Sequence, residues 1–178
     1  KPGEGVQHSQ SLQAVFAHFP GMNVGMPATP ADVKGMILTA IAEDDPTIIL
    51  EHRSLFGESG IVSVGQYLTS YKANVFWEGE DITIVSVSAS LIDVLRAKSE
   101  LETYGIYPEI IDVRWIRPLD AETIIRSVEK TRRLLVVDTG WKMFGVSSEI
   151  IASVCEKFTN WKCPPRRLTM PNIPCPSS

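Results

Sequence analysis

An α/β fold with a mostly parallel sheet is predicted for this chain by three observations. Short apolar runs alternate with amphipathic helical stretches, as happens when each helix crosses over between two parallel strands. The apolar runs are rich in isoleucine and valine and lack polar alternation, as strands covered on both faces do. Cap residues, prolines and glycines fall where those helices should begin and end.

Residues 11–19 place Leu12, Val15, Phe16 and Phe19 at helical spacing, and Pro20-Gly21 ends the helix. The preceding Gly5-Val6-Gln7-His8-Ser9-Gln10 is then a loop, able to present a side chain to a ligand. Residues 22–26 read as a short strand. Thr29 is the N-cap of a second helix with Pro30 at its first position, and Val33, Met36, Ile37, Ala40 and Ile41 form its expected buried stripe. Asp44-Asp45-Pro46 ends that helix, and residues 47–50 are expected as a strand covered on both faces.

Periodicity fails from His52 to Gly79, where Gly57, Gly60 and Gly65 are scattered among polar residues. The stretch reads as a surface linker between two units. The second unit opens with a strand carrying Ile82, Ile84, Val85 and Val87, then a helix over 90–104 closed by Gly105 as its C-terminal cap. A strand at 109–113, a helix at 121–130, a strand at 134–137 and a helix at 147–158 follow. The proline-rich tail from Cys163 holds one more candidate strand at 166–170 and otherwise reads as an extended closing segment. The expected organisation is a first unit over 1–57, a linker over 58–79 and a second unit over 80–178.

With 178 residues, 44% hydrophobic and 21% charged, the chain can bury one sizeable core or two small ones. A net charge of −4 and a pI near 5.4 provide no basic face for phosphate backbones, so no nucleic-acid partner is expected. No run of about 18 apolar residues is present, so no membrane-spanning helix is expected. The first residue is Lys1, with no charged-then-apolar leader before the first motif, and the sequence ends at Ser178 in a proline-rich stretch. An internal or processed start and a shortened C-terminus are the expectations that follow. Cys155, Cys163 and Cys175 match no zinc spacing and read as inert thiols, the alternative being a Cys163–Cys175 disulfide.

His8 is the sharpest candidate for chemistry. An imidazole flanked by Gln7, Ser9 and Gln10 in a glycine-bearing loop can exchange a proton near neutral pH, since its ordinary pKa is about 6.5. The competing reading is a solvated loop histidine. His18, at a helix end, suits the C-terminal carbonyls, and His52 follows a buried strand and reads as half covered. Glu51 stands at a strand end, where α/β proteins place function, but pairing with Arg53 or capping a loop explains it as well. Arg114, Arg117 and Asp120 can hold an anionic group, or be strand-end arginines and a helix cap. The serines at 86, 88 and 90 lack a nucleophile elbow, and Gly140 and Gly145 make no phosphate loop.

Taken in order, four segments resemble one enzyme family. They are Gln7-His8-Ser9-Gln10, Met26-Pro27-Ala28-Thr29-Pro30-Ala31-Asp32-Val33-Lys34-Gly35, Ile49-Leu50-Glu51-His52, and residues 110–120 with Asp112-Val113-Arg114-Trp115-Ile116-Arg117-Pro118-Leu119-Asp120. The family is the beta subunit of the decarboxylating first component of 2-oxo-acid dehydrogenase complexes, of the pyruvate and branched-chain type. The resemblance runs from Gly3 to about Pro176. It implies part of a pyrimidine-binding domain followed by a transketolase-type C-terminal α/β domain.

It also implies thiamine diphosphate bound between this chain and an alpha subunit, with magnesium on the alpha side, and His8 facing the reacting centre as the catalytic histidine. A structural potassium held by the backbone carbonyls of Ala40, Glu43 and Asp45 is implied as well. So are a second beta subunit and a lipoylated acyltransferase as partners. The compartment would be the cytoplasm in a bacterium or the mitochondrial matrix in a eukaryote. The nearest alternatives are a transketolase or deoxyxylulose-phosphate synthase relative, and a non-catalytic module for subunit assembly and acyltransferase docking.

Two departures from the family pattern stand out. No residue aligns with the glutamate that acts on the aminopyrimidine ring. The text Met143-Phe144-Gly145-Val146-Ser147-Ser148-Glu149-Ile150 also replaces a glycine-richer one. The chain alone is therefore expected not to catalyse.

Overall fold

The computed structural model describes residues 5–65 and 68–175; the expectations for Gly3, Pro176 and Ser178 lie outside them. A short 3-10 turn, Val6–His8, leads into α1 (Gln13–Ala17). Then come β1 (Asn23–Gly25), α2 (Pro30–Ala42) and β2 (Thr47–Ile49). β1 and β2 are parallel. The second sheet is built from β3 (Asn74–Trp77), β4 (Ile82–Ser86), β5 (Pro108–Asp112), β7 (Leu134–Trp141) and β8 (Arg166–Met170), in the order β3-β5-β4-β7-β8. All its pairings are parallel except β3 with β5. The helices α3 (Ser90–Thr103), α4 (Ala121–Thr131) and α5 (Val146–Cys155) make the crossovers.

The helix ends follow their residues. Thr29 accepts the Asp32 N–H at 3.2 Å and starts α2. Asp120 starts α4: it accepts the Thr123 N–H at 3.4 Å and the Thr123 hydroxyl at 2.6 Å. Gly105 adopts φ +71° just past α3, a conformation that favours glycine, and the Gly105 and Ile106 N–H groups close on the carbonyls of Glu102 and Leu101.

The strand that joins the two sheets is not legible in the sequence. β6 (Trp115–Arg117) leaves the second sheet at Asp112 and pairs antiparallel with β1 in the first. The chain turns at Arg114, whose φ is +56°. Its guanidinium donates to the Lys72 carbonyl, from Nε at 3.1 Å and also from Nη2, and its Nη1 stands 3.5 Å from Asp32 on α2. The result is a continuous apolar core: Val24 and Met26 of the first sheet pack in one cluster with Val85, Ile111, Ile124 and Ile150 of the second. Gly25 sits at its tightest point, where an added methyl would meet Met36, Ile49 at 2.9 Å and Trp115 at 3.0 Å.

Three expectations are corrected. The buried stripe of α2 is Asp32, Gly35, Met36 and Thr39, while Ile37 and Ile41 are exposed, Ile41 at 75%. Apolar periodicity missed this because two polar residues turn inward with partners. Asp32 meets Thr29 and Arg114, and the Thr39 hydroxyl bonds the Gly35 and Thr69 carbonyls. Next, β2 is not covered on both faces but is the half-buried edge of its sheet. Finally, the linker expected over 58–79 is shorter. Residues 57–65 are exposed, but Thr69 and Ala73 are buried and Asn74–Trp77 forms the edge strand β3. Val75, Phe76 and Trp77 stay partly exposed at that edge, so no inward–outward alternation announces the strand.

Candidate active site

The His8 loop is fixed from beneath by the second unit. The His8 N–H closes on the Gly5 carbonyl at 3.3 Å, with Gly5 at φ +93°. Ser9 is buried, and its carbonyl accepts the Cys175 thiol at 2.9 Å. Ser11 Oγ donates to the Thr139 carbonyl at 3.0 Å. Gln13 Nε2 donates at 3.0 Å to Asp138 Oδ1, which also accepts the Gly140 N–H at 2.9 Å. These ties hold an otherwise exposed imidazole over the carboxyl end of β7.

The opposite wall comes from the residues just past β2. Glu51, His52 and Arg53 close with His8, Ser9, Gln10 and Ser11 around a polar cavity of about 190 Å³. An apolar cavity of about 250 Å³ adjoins it, lined by Pro27, Val33, Leu55 and Phe56 together with Glu51 and His52. A third, of about 460 Å³, runs from His52 and Ser54 to Asp138 and Thr139. All three open at the carboxyl ends of parallel strands, where open α/β sheets bind ligands. The arrangement brings two imidazoles, a carboxylate and a guanidinium to one hollow beside an apolar slot. Such a set can hold a small polar molecule and exchange a proton with it.

The second sequence landmark, residues 112–120, is not part of this hollow; it forms the joint between the sheets. Asp112 is fully buried, with its Oδ2 unpartnered. Burial and then the neighbouring Asp32 charge push its carboxyl up to about 8, against the pull of Arg114. Burial also raises Asp120, but hydrogen bonds from Thr123, Ala73 and Lys72 outweigh it and hold that carboxyl below its ordinary value. Arg117 donates to the Ala17 carbonyl at 3.1 Å. It also lines a larger cleft of about 780 Å³ with His18, Asp45, Phe144 and Glu149. That cleft lies at the amino ends of β1 and β2, away from His8.

Ala40, Glu43 and Asp45 lie where α2 ends and the chain enters β2. Glu43 caps the helix through its N–H to the Thr39 carbonyl, and the Asp45 carbonyl accepts the Thr47 hydroxyl at 3.1 Å. The Tyr71 hydroxyl accepts from Asn23 Nδ2 at 3.1 Å, and its pKa is raised by burial and then by the charges of Glu43 and Asp45. Among the described residues no cluster of three or more His, Cys, Asp or Glu side chains could hold a metal. No helix of the described residues is long and apolar enough to cross a membrane. All three cysteines are free, so the Cys163–Cys175 disulfide is not formed.

The sequence alone understates His52. Its Nδ1 accepts the Ser54 N–H at 3.3 Å and contacts Ser54 Oγ at 2.7 Å, and it borders all three cavities. The available signal was the ring-x-hydroxyl spacing of His52-Arg53-Ser54, a local pattern that favours a side-chain-to-backbone turn. The Gln13–Asp138 pair carried only the hint of an acidic residue directly following a buried Val-Val run.

An α/β chain of the transketolase class is what this fold and hollow define. Residues 71–178 match the model of the transketolase C-terminal domain and residues 5–58 that of the transketolase pyrimidine-binding domain, and the chain belongs to this family. Among its relatives is the beta subunit of acetoin:2,6-dichlorophenolindophenol oxidoreductase of Cupriavidus necator, 38% identical over 97% of this chain and 52% of that one. The mitochondrial pyruvate dehydrogenase E1 component subunit beta of Caenorhabditis elegans is 38% identical over 98% of this chain and 51% of that one. Its Bacillus subtilis counterpart is 35% identical, over 96% and 54%. The chain thus spans about half the length of the curated relatives it matches. A solved split-gene transketolase, titled an inactive beta4 tetramer, shares the fold with a TM-score of 0.82 at 22% identity, over 94% of this chain and 55% of its own.

Proposed function

We propose that this chain is the beta-subunit portion of a thiamine-diphosphate-dependent 2-oxo-acid dehydrogenase, which oxidatively decarboxylates a 2-oxo acid and passes the acyl group to a lipoyl carrier. The observation that carries the reading is the convergence of the Gln7-His8-Ser9-Gln10 loop with Glu51 and His52 at the carboxyl ends of parallel strands. The relatives named as pyruvate dehydrogenase and acetoin oxidoreductase beta subunits support the same class.

The residues present fit one face of such a cofactor. Two cavities of about 190 and 250 Å³, one polar and one apolar, suit a heteroaromatic ring with a small substrate. When bound, the cofactor supplies the nucleophile and electron sink of the decarboxylation. His8, held by the Ser9 and Ser11 ties, gives or takes a proton at its exposed ring and orients the incoming acyl acceptor. The apolar slot of Pro27, Val33 and Phe56 excludes water from the substrate side.

The diphosphate and magnesium would be held by an alpha subunit, a second beta subunit would complete the assembly, and a lipoylated acyltransferase would receive the product. The carbonyls of Ala40, Glu43 and Asp45 would bind potassium, with the Glu43 and Asp45 carboxylates nearby adding negative potential. The compartment would be cytoplasmic in a bacterium and the mitochondrial matrix in a eukaryote. The test is His8→Ala in the full-length subunit assembled with its alpha partner, assayed for lipoyl acylation. A fall of about 10²-fold or more in kcat is expected of a proton-transferring group, and unchanged turnover would remove His8 from the mechanism.

A further inference from the structure

We infer that Cys175 is a positioning residue for His8, the last tie of a strap that runs from β8 across β7 to the His8 loop. The inference rests on the functional reading above and gives a role to a thiol that the sequence alone marks as inert. The strap is residues 171–175. Where it leaves β8, the Lys142 N–H donates to the Met170 carbonyl at 3.1 Å. Asn172 Nδ2 then meets the Met143 sulfur at 3.0 Å, and Trp141 Nε1 donates to the Ile173 carbonyl at 2.8 Å. These ties bind the strap to the carboxyl end of β7 and the turn beyond it. Two residues later Cys175 turns inward, only 4% exposed, and its Sγ stands 2.9 Å from the Ser9 carbonyl oxygen. A backbone carbonyl can only accept, so the thiol is the donor.

Ser9 is where this contact acts on His8. It closes the 3-10 turn Val6–His8, with its N–H returning to the Val6 carbonyl at 3.4 Å and its ψ at 5°. Because ψ sets the direction of the carbonyl, a donor held by the strap fixes the angle at which the chain leaves the turn. Ser11 and Gln13 are held from β7 on the far side of Gln10, by Thr139 and Asp138. Cys175 adds a tie one residue from His8, reached from 166 residues away in the chain. His8 itself is exposed, so its place on the wall of the polar cavity is set by its backbone. A proton-transferring group loses rate steeply when it is displaced, by as much as about 10²-fold for about 1 Å. The tie touches the turn and not the substrate, so its loss acts on turnover more than on binding of the oxo acid.

The test uses the full-length subunit assembled with its alpha partner. Cys175→Ala and Cys175→Ser are matched in size, so what separates them is the donor that only serine keeps. Cys175→Ala should lower kcat for lipoyl acylation about threefold to tenfold, the range one hydrogen bond supports, with KM for the oxo acid changed less than about twofold. Cys175→Ser should recover most of that loss. Equal impairment of the two variants, or wild-type kcat in Cys175→Ala, overturns the inference. A second measurement needs no turnover: hydrogen exchange read by mass spectrometry on the peptide over residues 5–13. Its His8 and Ser9 amides should exchange several-fold faster in Cys175→Ala than in the wild type or Cys175→Ser, and equal rates overturn the strap. Absence of oxo-acid turnover in the wild-type enzyme instead fails the functional reading, and the role toward His8 chemistry falls with it, while the exchange rates still decide whether Cys175 holds the loop.

Discussion

Asp112 is fully buried beside a second carboxylate, Asp32, with Arg114 shared between them. Its folded pKa of about 8 lies far above that of an unfolded aspartate. In the pH range between the two values the folded chain holds a proton that the unfolded chain has released, so stability falls as pH rises from about 4 to about 8. Asp112→Asn keeps the shape and removes the titration. Urea denaturation midpoints should show the wild type losing on the order of 1 kcal/mol per pH unit more than the variant between pH 5 and 7. Equal slopes would show that the buried carboxyl is not protonated as described. The two landmark segments were legible as text but not as roles. His8 stands out in the sequence because a histidine in a glycine-bearing loop has few structural duties, and the structure places it on the wall of a polar cavity, whereas Asp112 reads as an ordinary strand residue. Nothing in a single sequence tells which polar residues face inward until their partners are known; Asp32, Thr39 and Asp138 show the same difficulty.

At the scale of elements, α2, α3, α4, β4, β5 and β8 lie where apolar spacing and cap chemistry put them, with Thr29, Asp120 and Gly105 marking their ends. What failed were short edge and joint strands. β3 and β6 gain stability from pairing with distant partners, a term absent from any local window. The turn between β7 and α5 makes a sharper demand. Gly145 is the N-cap of α5, and a methyl there would be driven into the Trp141 carbonyl oxygen, a backbone atom unable to move alone. Gly145→Ala should therefore lose about 1–3 kcal/mol of stability, read as a lowered melting temperature, through displacement of the first turn of α5. A variant that melts with the wild type would mean that this turn relaxes freely.

For the whole molecule, the short joint of residues 112–117 turns two sheets into one body with a continuous core, and that body presents the His8 hollow at converging strand ends. The fold class was readable because parallel strands and crossover helices leave a strong periodic trace; the hollow was not, since its walls lie some forty residues apart in the chain. Under the proposed function these walls would supply proton transfer and orientation and leave the diphosphate to a partner, so the central claim is a site shared between subunits. Titration calorimetry with thiamine diphosphate and magnesium tests it most directly, using the chain alone and then the chain assembled with an alpha subunit. Binding is predicted only in the assembled pair. Tight binding by the chain alone, or none by the pair, would contradict the account.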